Sequence, residues 1–145
     1  MNSSPVTCLF CRIIASEVSA AVVFEDEVSL AFLDHRPLFP GHCLLVPRKH
    51  FETLNDLPGT LIAPFFANTK LLAEAVESSL EAAGTFVAMN NRVSQSVPHF
   101  HVHVVPRRQK DGLKGFFWPR TKYKDDQEMG AVQQAIQRRI KELQK

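Results

Sequence analysis

The stretch "SVPHFHVHVVPR", residues 96–107, sets His99, His101 and His103 at alternate positions, with Phe100 and Val102 between them. Such alternation is the mark of a half-buried strand, whose successive side chains point to opposite faces. It predicts a strand over 99–105, with three imidazoles on one face and apolar side chains on the other. Two chemistries compete for such a patch. The three rings could hold one catalytic zinc or iron, which needs convergent nitrogens and an open water position. Same-face residues on a flat strand stand roughly 6.6 Å apart, whereas each ligand must come within about 2.1 Å of the metal. One strand therefore supplies two ligands readily and three with difficulty. In the other chemistry a neutral imidazole attacks phosphorus as a nucleophile, and its neighbours handle protons and charge.

Outward from the histidines, "TFVAMNN" (85–91) reads as the preceding strand, joined to them by the polar turn "RVSQSVP". Upstream, Leu61, Phe65, Leu72, Val76 and Leu80 recur at helical spacing, which predicts one long helix over 59–83 capped by Gly84. In "SAAVVFEDEVSLAFLD" (19–34) two apolar runs flank an acidic "EDE", the pattern of an antiparallel hairpin. "GHCLLVPRKH" (41–50) reads as the next strand, stopped at Pro47 because proline cannot donate to a ladder. From an N-cap at Asp125 or Asp126, Met129, Val132, Ile136, Ile140 and Leu143 form one helical stripe, so a C-terminal helix is expected to dock on an apolar surface. Strands, a helix and strands again define an α+β domain on a mainly antiparallel five-stranded sheet. One domain is expected over 1–145, with a loose terminus at 1–7 and a loop plus helical extension at 110–145.

Composition narrows the function classes. A chain of 145 residues that is 45% hydrophobic can bury a real core. Seventeen basic against fifteen acidic residues leave a net charge of +2, too small a bias to call for a nucleic-acid polymer or a membrane surface. No apolar run approaches the roughly 18 residues that span a bilayer, and residues 1–20 lack a secretory pattern, so a cytoplasmic protein is expected. Cys8, Cys11 and Cys43 make a poor disulfide framework. Cys8 and Cys11 form C-x-x-C, which by itself fits zinc, packing or redox chemistry. Cys43 reads as a buried small residue. Neither a G-x-x-x-x-G-K-[ST] loop nor a carboxylate cluster for magnesium is present, which excludes a P-loop mechanism.

"HFHVHVV" matches the H-φ-H-φ-H-φ-φ signature, φ being apolar, and the chain resembles the histidine triad (HIT) nucleotide hydrolases and transferases. "CLFCRII", "VVFEDEVSLAFLD", "FPGHCLLVPRKH" and "SQSVPH" carry the resemblance over residues 8–107. It implies a HIT-like fold, and reaction at the α-phosphate of a purine nucleoside phosphoramidate or dinucleoside polyphosphate. The resemblance makes His101 the nucleophile that forms a nucleotidyl-histidine, and His103 a phosphate contact. Ser96 then supports the leaving group, Gln95 faces the phosphate, and His42 lies near the α-phosphate. Asp34 would take the ribose hydroxyls, while Leu9, Phe10, Ile13, Val18 and Phe32 wall the purine slot. Asn90 falls in a turn that is shorter than in many members and has no glycine. A structural zinc held by Cys8, Cys11, His50 and His99 is implied, as is a homodimer. The aromatic "GFFWPRTKY", with Trp118, is a candidate lining for the substrate mouth or a partner subunit. Two rivals remain: a metal-dependent hydrolase using the three histidines, and a nucleotide-binding scaffold with little catalysis.

Overall fold

Asp26 closes the first hairpin: its Oδ1 accepts the Val28 and Ser29 N–H groups at 2.8 and 2.9 Å, turning the chain between two strands. The computed structural model describes residues 5–114 and 120–145. Within them lie α1 (Leu9–Ile14), β1 (Val22–Glu25), β2 (Ser29–Leu33), β3 (Cys43–Pro47), a 3₁₀ turn (Leu54–Asp56), α2 (Gly59–Ser79), β4 (Gly84–Ala88), β5 (Val102–Arg107) and α3 (Asp126–Leu143). The strands form one antiparallel sheet in the order β1-β2-β3-β5-β4. This is the expected α+β architecture. The chain up to Asp111 is one compact unit and Gly112–Lys145 a second.

Strand alternation divides the sheet between two apolar clusters. Ala31, Cys43, Leu45, Val102 and Val104, with Phe100 just before β5, pack against Phe65, Leu72 and Val76 of α2. Phe65 and Phe100 are fully buried, their ring centroids 5.3 Å apart, and each contributes roughly 2 kcal/mol by leaving water. Leu30, Phe32, Leu44 and Val46 form the other cluster, closed by Cys8 and Phe10 of the N-terminal segment. Asp34 and His42 continue the alternation of this second cluster and His103 stands opposite Leu44, so the polar groups collect beside α1 rather than beneath α2. Gly41 makes the entry to β3 possible: its φ is +101°, and an added Cβ would lie 2.2 Å from Leu80 Cδ1.

Several boundaries differ from those the sequence suggests. Strand β5 begins at Val102, so His99 and His101 stand in an extended segment before the ladder and only His103 is paired, opposite Leu44 and Ala88. Side-chain alternation continues through that segment: Phe100 and Val102 join the cluster under α2, while His99 and His101 stand against Phe10. Helix α2 stops at Ser79, not at 83, and the left-handed residue after it is Glu81 (φ 51°) rather than Gly84, which opens β4. β4 ends at Ala88, which leaves Asn90 and Asn91 in the following loop. Helix α1 has no counterpart in the sequence reading; Cys8 is its N-cap, the thiol accepting the Cys11 N–H at 3.4 Å. Asp125 caps α3 by accepting the Glu128 N–H at 2.8 Å. Trp118 and its neighbours at 115–119 lie outside the described residues.

Candidate active site and metal centre

The loop after β3 brings His50, and the segment before β5 brings His99, to Cys8 and Cys11 at the N-terminus of α1. The Cys8 and Cys11 sulfurs lie 3.4 and 3.5 Å from His99 Nδ1, and Cys11 Sγ lies 3.3 Å from His50 Nδ1. All four ligand atoms fall within 4.8 Å of one another. A tetrahedron with Zn–S near 2.3 Å and Zn–N near 2.05 Å has an S···N edge of about 3.6 Å, so the set fits that ion's geometry. His99 is also in the right tautomer. Its Nε2 donates to the Pro47 carbonyl at 2.9 Å, which leaves the Nδ1 lone pair facing the sulfurs. Burial holds the His99 imidazole down at about 4, and burial together with the Cys8 thiol pushes Cys11 up to about 12. A metal here would meet a neutral imidazole and would have to displace thiol protons.

The other two triad histidines belong to a separate arrangement. His101, 2% exposed, donates from Nδ1 to the His99 carbonyl at 2.7 Å, so its Nε2 carries a free lone pair. Phe10 stands edge-on to the ring, centroids 5.0 Å apart, and also meets Phe32 at 5.4 Å. His103 lies 5.0 Å from His101, ring to ring. Its tautomer follows from a chain of donors. The Leu38 N–H donates to His42 Nδ1 at 3.1 Å, so the proton of neutral His42 sits on Nε2, and Nε2 donates to His103 Nδ1 at 2.9 Å. The His103 proton is therefore on Nε2. Burial lowers His42, His101 and His103, the last to about 4 with the nearby His101 and His42 adding to the effect, which keeps all three neutral at pH 7.

This donor chain also decides against a metal on Asp34, His42 and His103, whose ligand atoms lie close enough for one. A neutral His42 that accepts at Nδ1 has no second lone pair to give. Nor do His99, His101 and His103 bring three ligand atoms to one point among the described residues, so the three-histidine metal hydrolase is not the arrangement present. Asp34 Oδ1 accepts the Arg36 N–H at 2.9 Å, and Oδ2 stands 3.8 Å from His42 Nε2, with the side chain one-fifth exposed.

Of the other sequence-derived candidates, Phe10 and Phe32 are buried together, Ile13 packs on the same cluster, Val18 is half-buried and Leu9 is exposed. Ser96 is exposed at the end of the loop leading to His99. Asn90 Nδ2 donates to the Ser94 carbonyl at 3.2 Å. The Gln95 amide is engaged by backbone groups on both of its atoms. Its Oε1 accepts the Arg92 N–H at 2.8 Å and its Nε2 donates to the Glu52 carbonyl, so the amide ties two loops together. The backbone donor to His42 has no side-chain signature in the sequence; "PLFPGH" shows only a turn. The C-x-x-C spacing, by contrast, puts two residues on one face of a helix turn and foreshadows α1.

The family model described as the HIT domain matches residues 15–110, and the chain belongs to the HIT family. Cys8 and Cys11 precede the matched stretch. The adenosine 5'-monophosphoramidase HNT1 of Saccharomyces cerevisiae is 34% identical over 116 residues, 77% of this chain and 72% of that one. A HIT family protein of Bacillus subtilis has the same fold, with a TM-score of 0.83 and 32% identity over 92% of this chain and 96% of its own. A histidine triad family protein from Mycobacterium smegmatis, described as Zn-bound, aligns with a TM-score of 0.71 and 33% identity, covering 97% and 99% of the two chains.

Proposed function

We propose that the protein is a nucleotide hydrolase or nucleotidyltransferase acting at the α-phosphate of a purine nucleoside phosphoramidate or dinucleoside polyphosphate. The observation that carries the reading is the His101 ring: buried, neutral, and fixed by the His99 carbonyl so that Nε2 presents its lone pair. In this reading Nε2 attacks phosphorus, the N–P bond forms, and the leaving group departs with the electron pair of the bond it loses and takes a proton from solvent water. The His99 carbonyl supports the positive charge left on the substituted ring. Water then attacks phosphorus and releases a proton to solvent, the N–P electrons return to Nε2, and the nucleotide leaves with the hydroxyl. The His103 Nε2–H donates to a phosphoryl oxygen, where charge builds as the bonds exchange. Ser96 supports the leaving group. Asp34 keeps acceptor capacity for ribose hydroxyls, and Leu9, Phe10, Ile13, Val18 and Phe32 border the base.

Zinc on Cys8, Cys11, His50 and His99 belongs to this reading as a brace. A closed Cys₂His₂ set leaves no position for chemistry, and its place is to hold α1 and the His99 backbone, which in turn orients His101. A homodimer and a cytoplasmic setting belong to it too. β4 is an edge strand of the sheet with Val87 exposed, which suits a face that a second copy could cover. The three cysteines are free thiols, and no helix among the described residues is long and apolar enough to cross a membrane.

Turnover of adenosine phosphoramidate compared with diadenosine tri- and tetraphosphates, with and without inorganic phosphate, tests the substrate class. Release of AMP from at least one of them is expected. Tight purine-nucleotide binding with no turnover of any would favour the scaffold reading.

A further inference from the structure

Residues 50–54 join two sites that the chemistry so far treats separately. The segment starts at His50, whose Nδ1 faces Cys11 Sγ. The Phe51 carbonyl accepts the Phe100 N–H at 2.6 Å, and the Glu52 carbonyl accepts from Gln95 Nε2. Thr53, buried, is locked by the Asp56 carboxylate, which accepts from its N–H and its hydroxyl at 3.0 and 2.8 Å. The Leu54 N–H donates to Asn91 Oδ1 at 2.8 Å. Four consecutive residues are thus pinned, three of them to the stretch 91–100 that carries Ser96 and ends beside His101. That stretch needs holding. Arg92 and Ser94 both adopt left-handed backbone (φ 71° and 60°) without being glycine, a conformation that persists only where surrounding contacts determine it.

We propose that residues 50–54 couple the metal centre to the loop at 91–96, with Gln95 as the latch, so that metal held by His50 sets the order of the loop that meets the leaving group. The inference rests on the zinc reading above. Gln95 and Asn91 are then positioning residues: they act on Ser96 through the loop. Coupling is reciprocal, so whatever metal does for the loop, the latch must do for metal affinity.

Amide hydrogen exchange on the full chain, zinc-loaded and chelated with bound zinc counted in each sample, tests this. Gln95→Glu keeps an acceptor for Arg92 N–H but loses the donor to Glu52. Zinc removal from the unsubstituted chain is expected to speed exchange at the Leu54, Arg92 and Phe100 amides by ~10-fold or more, while β2 and β3 stay protected. In Gln95→Glu the Arg92 amide exchanges fast even with zinc bound, and removing zinc adds little. The zinc dissociation constant of Gln95→Glu rises by a similar factor, a readout that stands even if the chelated chain unfolds. A zinc-dependent change confined to residues 8–11 and 50, or an unchanged zinc dissociation constant in Gln95→Glu, overturns the coupling and leaves the zinc reading intact. A chain that takes up no zinc overturns both.

Discussion

At the scale of single residues, tautomers do the arranging. Three neutral imidazoles receive their proton positions from the Leu38 amide and the Pro47 and His99 carbonyls. None of these partners is a titratable side chain. His42 has its effect through His103, and His42→Ala should cost ~10²-fold in turnover by freeing the His103 tautomer. Nitrogen-15 spectra of the His103 ring, moving from one Nε2–H form toward a mixture, would check that cause, and an unchanged ring signal would contradict it. Leu38→Pro removes the same amide without altering any side chain of the site, and should shift the same signal. The three alternating histidines were legible in the sequence, and the family resemblance implied the grouping of His99 with Cys8 and Cys11 that the geometry shows. The proton positions were not, because they are set by backbone groups whose identity the sequence does not encode.

At the scale of elements, the entry to β3 depends on one glycine. Gly41→Ala meets both a positive φ and the Leu80 methyl, and should destabilise the chain by ~1–3 kcal/mol in denaturant unfolding. Leu80→Ala in the same chain separates the causes: recovery would assign the loss to the contact, and its absence to the backbone. Strands β2 and β3 were readable because each alternates between two distinct apolar clusters. Helix α1 was not, since six residues are too few to show a period and a thiol stands at the cap where an oxygen is usual. The start of β5 was missed for a different reason: alternation marks extended backbone, whereas the ladder between β3 and β5 stops at the Leu45–Val102 pair although β3 itself runs on to Pro47. Gly84 looked like a helix cap because a glycine follows the apolar period, but Glu81 takes the left-handed position three residues earlier.

At the scale of the whole molecule, the site couples stability to pH and to metal. His42 and His103 are held below their ordinary value of 6.5 by burial, so the unfolded chain binds their protons more readily than the folded one. Their contribution is complete above about 6.5 and is lost as pH falls toward 4, where the His103 ring charges. The melting temperature should therefore drop through that window, and His103→Asn should flatten the slope; an unchanged slope would contradict the assignment. In the proposed zinc reading metal would act with the same sign, because thiol protons would leave as zinc binds: affinity should rise with pH, and Cys8→Ser with Cys11→Ser should abolish uptake. The nucleophile is the claim on which the rest depends. Mixing the protein with an adenylated substrate, quenching at alkaline pH and mapping the modified peptide by mass spectrometry tests it most directly. An adenylyl group on the peptide containing His101, absent from His101→Ala, is the result expected; steady turnover by His101→Ala would contradict the account.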